Sequence, residues 1–286
     1  MKNDVLNTVT KIITGMEMEV PDMKHVHAEG VTTVILERLT AHVCVETHDA
    51  HDVRVTLEGL QKDTNSVYVH QPKKTLRLFE PVPELTTRWL CALVNKPAND
   101  AANSSLRVSV FVPKGTALQV KHILGPVHIG DVEGAVTITT AGTHHVTLGH
   151  VLATHIDAQG TGSVHCDFVQ DTLTIATQQG PVEVKDGIVQ NLHIEATGSA
   201  VKYGGTAACA DITASQASVT ATEVCARLKV AADNKSRVVV CQGELETLDV
   251  YATKKSRVTF TGTAKNIWCD HDKTSAICTP KIPSES

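Results

Sequence analysis

The feature that most constrains this chain is a short phrase that recurs every 18 to 20 residues from residue 118 onward. Each copy has an apolar-x-apolar segment, a small polar turn and a second apolar-x-apolar segment. The last apolar position of the first segment recurs at Val120, Ile138, Ile156, Ile175, Ile194, Ile212, Val230, Val250 and Cys269. The second segment opens at Val127, Val146, Val164, Val182, Val201, Val219, Val238 and Val258. Two columns that keep one period indicate a repeat architecture.

The alternation inside each phrase predicts strands with one buried face. A unit of this length is too short for a strand-helix-strand crossover but long enough for one coil of a β-solenoid. We therefore predict an all-β fold, a single-stranded parallel β-solenoid of about nine coils, right-handed by the general bias of parallel crossovers. A weaker apolar column predicts a third side, at Val132, Val151, Val169, Ile188, Val224 and Leu245.

The composition agrees with a narrow interior of stacked aliphatic side chains. Hydrophobic residues make up 42% of the chain, but aromatic residues only 3%. Small β-branched side chains suit short stacked strands, so we expect little room for rings inside the solenoid.

The first hundred residues show alternating apolar runs without the period. We interpret residues 1–105 as an irregular or antiparallel β-cap that covers the first coil, because the open end of a solenoid must be blocked against aggregation. Residues 106–280 form the predicted solenoid, and residues 281–286 form a tail.

Three groups of residues carry a resemblance to a known family. They are the runs Val43–Val45, Val53–Val55 and Leu76–Leu78, the junction from Leu106 to Thr116, and Gly-x-Val coils such as those beginning at Gly125 and Gly180. Over roughly residues 30 to 280 this pattern resembles the putative-adhesin β-solenoid family, which is related to head-GIN-type domains of unknown function. The resemblance implies a β-solenoid. The family has no established shared activity or catalytic motif, so the resemblance supplies no functional residues.

Two successive turns are the best candidate for a functional site. The segments Asn234–Val238 and Lys254–Val258 share the pattern Lys-Ser-Arg-Val one coil apart. We expect Lys235 to stack near Lys255 and Arg237 near Arg257. Like charges held about 4.8 Å apart are unfavourable unless they are solvated or neutralised by an anion. The alternatives are an anion-binding site for phosphate, an acidic glycan or an acidic protein segment, and a solvated turn that discourages aggregation.

Histidines and cysteines are numerous but give no metal-site spacing. The repeat region contains His122, His128, His144, His145, His150, His155, His165 and His193. His128 and His165 share one outward position two coils apart, as do His155 and His193, which is too far for one zinc ion. The eight cysteines show no CxxC pair, and we interpret them as reduced thiols. No metal and no cofactor are predicted.

Catalytic signatures are missing from the sequence. There is no GxSxG elbow, GxGxxG motif or P-loop, and no two outward acidic residues occupy one position on adjacent coils. No stretch reaches 18 apolar residues, so no membrane span is predicted. With a net charge of −5, a nucleic-acid binder is not expected either. The N-terminal residues lack the features of a signal or transit peptide, and we expect a cytoplasmic protein.

These observations favour a non-enzymatic scaffold or binding protein whose flat polar faces meet a partner, either a protein or an anionic glycan or phosphate ligand. We expect a monomer or small homo-oligomer. One alternative is a self-assembling, bactofilin-like element whose coils stack end to end. A second alternative is a carbohydrate-active β-helix enzyme, which requires paired carboxylates on one face.

Overall fold

The computed structural model describes residues 20–81 and 105–279. Of these residues 71% lie in strands and 3% in helix, and the strands form one sheet. The sheet winds into a β-solenoid of about eight turns whose coils stack in parallel. The all-β solenoid is therefore confirmed, while its handedness and the role of the N-terminal part as a cap stay predictions.

The strands before the repeat region enclose a short helix. They are β1 (Pro21–Glu29), β2 (Thr33–Glu37), β3 (His42–His48), β4 (Asp52–Leu60), α1 (Gln61–Ser66), β5 (Tyr68–His70), β6 (Thr75–Phe79) and β7 (Arg107–Pro113). The repeat region contains β8 (Ala117–Lys121), β9 (Val127–Ile129), β10 (Val132–Thr140), β11 (Val146–Ala158), β12 (Val164–Thr177), β13 (Val182–Thr197), β14 (Ala200–Ser215), β15 (Ser218–Asp233), β16 (Arg237–Gln242), β17 (Glu244–Ala252), β18 (Arg257–Phe260), β19 (Thr263–His271) and β20 (Ala276–Cys278). Strands β11 to β15 each extend over more than one side of the solenoid. The beginning of each strand carries a residue of the second apolar column, and its last part carries a residue of the first apolar column in the next coil.

The two apolar columns of the sequence are ladders in the structure. Ile138 pairs with Ile156, and the same step repeats along the first column to Val250 and Cys269. The second column steps in the same way from Val127 to Val258. All members are buried except Cys269, which lies in the last coil. The period thus gives the register of each coil on the next.

The third column is wrong at one residue, because Ile188 does not point inward. Ile188 is 63% exposed, whereas its neighbour Val189 is 2% exposed and pairs with Ala207. Between β12 and β13 the register is constant from the pair Val164–Val182 to the pair Asp171–Val189, so Gly187 and not Ile188 lies opposite Val169. Neighbouring residues of a strand point to opposite faces, so Ile188 points outward, and the apolar pattern favoured it only because Gly187 has no side chain.

The interior holds two rings that the composition led us not to expect. Tyr203 and Phe260 lie in one inward column and are 0% and 3% exposed. The Tyr203 hydroxyl donates to the carbonyl of Thr206 at 2.9 Å, and burial raises the pKa of Tyr203. A Cβ atom on Gly187 would lie 2.6 Å from the Val169 carbonyl oxygen and 3.3 Å from the Tyr203 hydroxyl, so the backbone of the preceding coil requires glycine beside this ring.

Strands from the first 80 residues also join the solenoid ladders. β2 pairs in parallel with both β6 and β8, and β3 pairs in parallel with both β7 and β9. Beyond them, β4 runs antiparallel to β7, β1 antiparallel to β4, and β5 antiparallel to β6. The predicted boundaries of the three regions stay predictions, and the tail at 281–286 lies outside the described residues.

Candidate anion-binding corner

The predicted basic turns form one corner of the solenoid, between its first and second sides. We call this surface the basic corner and define it by Lys235, Arg237, Lys255 and Arg257. The backbone N–H of Lys235 donates to the carbonyl of Lys254 at 2.9 Å, and the N–H of Arg257 donates to the carbonyl of Ser236 at 2.8 Å. These bonds stack one turn directly on the next.

The turn backbone is left-handed at both levels. The φ angles are 54° at Asn234, 66° at Lys235, 53° at Lys254 and 67° at Lys255. Lysine adopts this region less readily than glycine or asparagine. Three lysines therefore hold a conformation that glycine would adopt at lower cost, and they place long cationic side chains on the outer surface.

A ladder of serines supports the corner from inside. Ser236 and Ser256 are each 1% exposed. The Ser236 N–H donates to Ser256 Oγ at 3.2 Å, and the Ser256 N–H donates to Ser275 Oγ at 3.2 Å. At the preceding level, the N–H of Ala217 donates to Ser236 Oγ at 3.3 Å. Hydroxyl groups thus satisfy backbone donors that the turn removes from solvent.

Carboxylates near the corner are committed to other partners. Asp233 accepts from Thr253 Oγ1 at 2.8 Å and pairs with Lys254 Nζ at 3.1 Å. The bond from Thr253, together with Lys254, holds the pKa of Asp233 below its ordinary value. Asp272 accepts from the Lys254 N–H at 2.7 Å and from Thr274, and these bonds lower its pKa as well.

The four cations themselves are exposed and stacked. Arg237 and Arg257 are register partners on adjacent strands, and all four side chains are exposed. In residues 20–81 and 105–279 none of the four takes part in an ion pair. The corner can therefore offer two guanidinium groups and two ammonium groups to an anion, and guanidinium groups hold phosphate or carboxylate by bidentate hydrogen bonds.

The sequence placed these four residues together correctly, and their role as an anion site stays a prediction. The sequence did not distinguish Lys254 from Lys255. Lys254 forms an ion pair with Asp233, whereas Lys255 occupies the position in its coil that Lys235 occupies in the preceding coil. The next turn adds an exposed Lys273 beside the basic corner. The Lys-Ser-Arg pattern did not predict this residue.

The histidine alignment is confirmed residue by residue. Thr147 lies between His128 and His165 in one outward column. Thr174 separates His155 from His193 in the same way. His128 Nδ1 lies 2.8 Å from Thr147 Oγ1. Among the described residues, no three His, Cys, Asp or Glu side chains converge in a way that could hold a metal ion.

The nearest approach to a nucleophile and base is an exposed Ser-His pair. His145 Nδ1 contacts Ser163 Oγ at 2.5 Å, and no carboxylate partner for His145 is found in the described part of the chain. Four of the described thiols are held away from the reactive thiolate form. Burial raises the pKa of the Cys166 thiol to about 12, and it also raises those of Cys44, Cys225 and Cys269.

Acidic residues on the outer faces are separated by other side chains. Ala176 lies between Asp157 and Glu195 on successive strands. Lys229 lies between Asp211 and Asp249. These pairs are two strand spacings apart, about 9.6 Å. This is well above the roughly 5–5.5 Å of a retaining glycosidase and lies at the upper limit of the roughly 6.5–9.5 Å of an inverting one.

Comparisons with known proteins place the fold. No protein-family model matches the chain, and no curated protein matches its sequence. A putative lipid binding protein from Parabacteroides distasonis superimposes with a TM-score of 0.54 at 12% identity, over 91% of this chain and 97% of that one. A putative adhesin from Parabacteroides merdae gives 0.51 at 11% identity, over 91% and 96%.

At these identities the likeness shows the fold alone. The resemblance of the sequence to adhesin-type β-solenoids is thus confirmed as a resemblance of architecture. In the described residues, no helix has the length and apolar character required to cross a lipid bilayer.

Proposed function

We propose that this protein is a non-enzymatic binding scaffold, and that the basic corner binds an anionic group on its partner. One observation carries the proposal. Arg237 and Arg257 are stacked in register beside Lys235 and Lys255, while the neighbouring carboxylates are held by Lys254, Thr253 and Thr274. An anion would relieve the repulsion between the stacked cations.

The partner class that fits best is a phosphate or an acidic glycan. The four cations project from a rigid, hydrogen-bonded corner, so the backbone loses little conformational entropy on binding, and the cost is confined to ordering the side chains, about 0.5–1.5 kcal/mol each. A binding role is also named for the structural neighbours, one as a lipid binding protein and one as an adhesin. The raised pKa values of the thiols and the separated carboxylates support a non-enzymatic role. We propose a cytoplasmic location, which suits unpaired cysteines.

Binding to a sulfated glycan, to inorganic phosphate and to vesicles containing an anionic phospholipid tests the proposal. The variant has Lys235, Arg237, Lys255 and Arg257 all replaced by Ala. We expect its affinity for the preferred probe to fall about tenfold or more, and wild-type binding to weaken as salt is raised.

A matched control removes the same charge elsewhere. Lys114, Lys202, Lys229 and Lys265 are exposed, and each is within ion-pair distance of a carboxylate. Replacing these four by Ala should leave binding unchanged. Equal loss in both variants would show that only net charge matters, and unchanged binding in the corner variant would overturn the proposal.

A further inference from the structure

The cations of the basic corner form two rows that run along the solenoid axis. The strands on either side of the two turns are paired in register, at Ala232 with Ala252 before them and at the two arginines after them. The turns therefore have equal length, and their residues stack position on position. The rows are Lys235 on Lys255 and Arg237 on Arg257. The members of each row lie one strand spacing apart, about 4.8 Å.

The rows are short, because the neighbouring coils carry no cation in the same columns. In the arginine column the preceding coil has Ser218 and the following coil has Ala276. In the following coil the lysine column has Thr274, although the exposed Lys273 lies beside it. The cations therefore cover two levels, and Lys273 extends them to a third. An occupant that contacts all of them must reach across two strand spacings, about 9.6 Å.

The cations outnumber the charges that a single phosphate supplies. The basic corner carries four formal positive charges, and none of its four side chains is in an ion pair within the described residues. The nearby carboxylates have other partners, because Asp233 is paired with Lys254 and Asp272 accepts from the turn backbone and Thr274. One phosphate group brings about 1.5–2 negative charges. Each further phosphate in a chain adds about one more, so a chain of about three balances the corner.

The backbone of the two turns is not arranged to hold a lone phosphate. Sites for a single phosphate commonly use free backbone N–H groups of a turn or helix start. The N–H groups of the four cationic residues all have partners inside the fold, which are the carbonyls of Lys254, Ala217 and Ser236 and the Thr274 hydroxyl. Recognition is therefore left to the side chains, and a guanidinium group holds a phosphate by two parallel hydrogen bonds. These contacts repeat from one level to the next, as the phosphates of a chain do.

We infer that the basic corner binds a chain of linked phosphate groups that lies along the solenoid axis and contacts both levels. The inference rests on the proposed function and narrows it, because it states the form of the anion. An acidic glycan separates its charged groups by sugar rings, whereas the four cations lie at two levels only one strand spacing apart. Contiguous phosphates supply this density of charge. Inorganic polyphosphate and the triphosphate of a nucleotide both present such a chain.

Titration calorimetry with the full chain at constant ionic strength tests the inference. The probes are inorganic phosphate, pyrophosphate, tripolyphosphate and ATP. We expect tripolyphosphate to bind about tenfold or more tightly than inorganic phosphate, because it contacts both levels. ATP that binds as tightly as tripolyphosphate would identify a nucleotide as a source of the chain. ATP that binds markedly more weakly than tripolyphosphate would identify inorganic polyphosphate as the source.

Removing one level distinguishes a phosphate chain from a single phosphate. The variant has Lys255→Ala with Arg257→Ala, and both side chains are exposed, so folding should be retained. Its affinity for tripolyphosphate should fall about tenfold or more, while its affinity for inorganic phosphate should change by less than about threefold. The matched control is Lys202→Ala with Lys229→Ala, which removes the same charge from two exposed lysines that lie near carboxylates. This control should retain the gain in affinity with chain length.

The outcomes separate this inference from the proposed function. Binding of a sulfated glycan or of inorganic phosphate, without a gain in affinity for tripolyphosphate, would overturn the inference and leave the proposed function standing. An equal loss of the gain in both double variants would also overturn it, because net charge alone would then explain the effect. Absence of binding to any of these anions would overturn both. Circular dichroism of each variant, matching that of the wild type, shows that a loss of affinity does not reflect unfolding.

Discussion

The backbone N–H of Ser236 donates to Ser256 Oγ across one coil spacing, at 3.2 Å, and both serines are buried. The contact lies on the inner face of the basic corner. The same two turns carry Lys235 and Lys255 on the outer face. The corner is rigid where it is hydrogen-bonded and charged where it meets solvent. Within each turn of three or four residues, a buried serine supports the fold, and the exposed cations on either side of it are available to a ligand.

The serine ladder predicts a local stability effect. Ser256→Ala removes one of the two acceptors of the Ser236 N–H, the other being the Asp233 carbonyl at 3.3 Å, and should lower the free energy of unfolding by about 0.5–1 kcal/mol. Urea unfolding followed by circular dichroism measures it. Ser218→Ala, at an exposed position at the start of β15, is the control and should change the value by less than about 0.5 kcal/mol.

The ladder of inward isoleucines predicts a larger effect. Ile194 is 0% exposed, so Ile194→Ala should cost about 2–5 kcal/mol through lost burial and a cavity. Ile188→Ala deletes the same atoms at a site that is 63% exposed, and it should cost less than about 0.5 kcal/mol. Comparable losses in the two variants, measured by urea unfolding, would contradict the corrected register of the third side.

Close backbone approach predicts a glycine requirement at one position within β14. A Cβ atom at Gly205 would lie 2.1 Å from the carbonyl oxygen of Gly187, and the backbone cannot yield without shifting a strand. Gly205→Ala should therefore lower the thermal midpoint strongly. At Gly142 the nearest atom to an added Cβ is 3.6 Å away, so Gly142→Ala should leave the midpoint nearly unchanged.

Acid should weaken the basic corner. The backbone N–H of Lys254 and the groups of Thr274 and Ser275 lower the pKa of Asp272 from its ordinary 3.8, and Thr253 and Lys254 lower that of Asp233. The folded state therefore binds these protons less tightly than the unfolded state. The stabilisation is complete above the unfolded value and is lost as the pH falls through the lower folded values.

A double variant, Asp233→Asn with Asp272→Asn, tests this pH dependence. Its thermal midpoint should fall less than that of the wild type as the pH drops below about 4. Asp270→Asn, an exposed position on the neighbouring face, should follow the wild-type profile. A wild-type profile in the double variant would show that other groups dominate acid unfolding.

Much of the repeat region could be read from sequence because its pairing is periodic. Ile138 meets Ile156 and Val146 meets Val164 through a fixed spacing, so a count along the chain supplies both strand and register. The stacking of Arg237 on Arg257 followed from the same count. The prediction for Ile188 failed because the constant register places Gly187 opposite Val169, and a glycine at an inward position leaves no apolar mark in the sequence.

Other features depend on contacts that no period encodes. Only the tertiary structure placed β2 between β6 and β8, because that order brings together segments 40 or more residues apart. It also decided which lysine pairs with Asp233, and that Gly187 lies against both the Val169 carbonyl and the Tyr203 hydroxyl. The sequence by itself determined the repeat, the coil and the stacked cations, since each is a consequence of local alternation and constant spacing. The tertiary structure decided which partners the turns and the first strands meet, because those contacts join segments that no constant spacing relates.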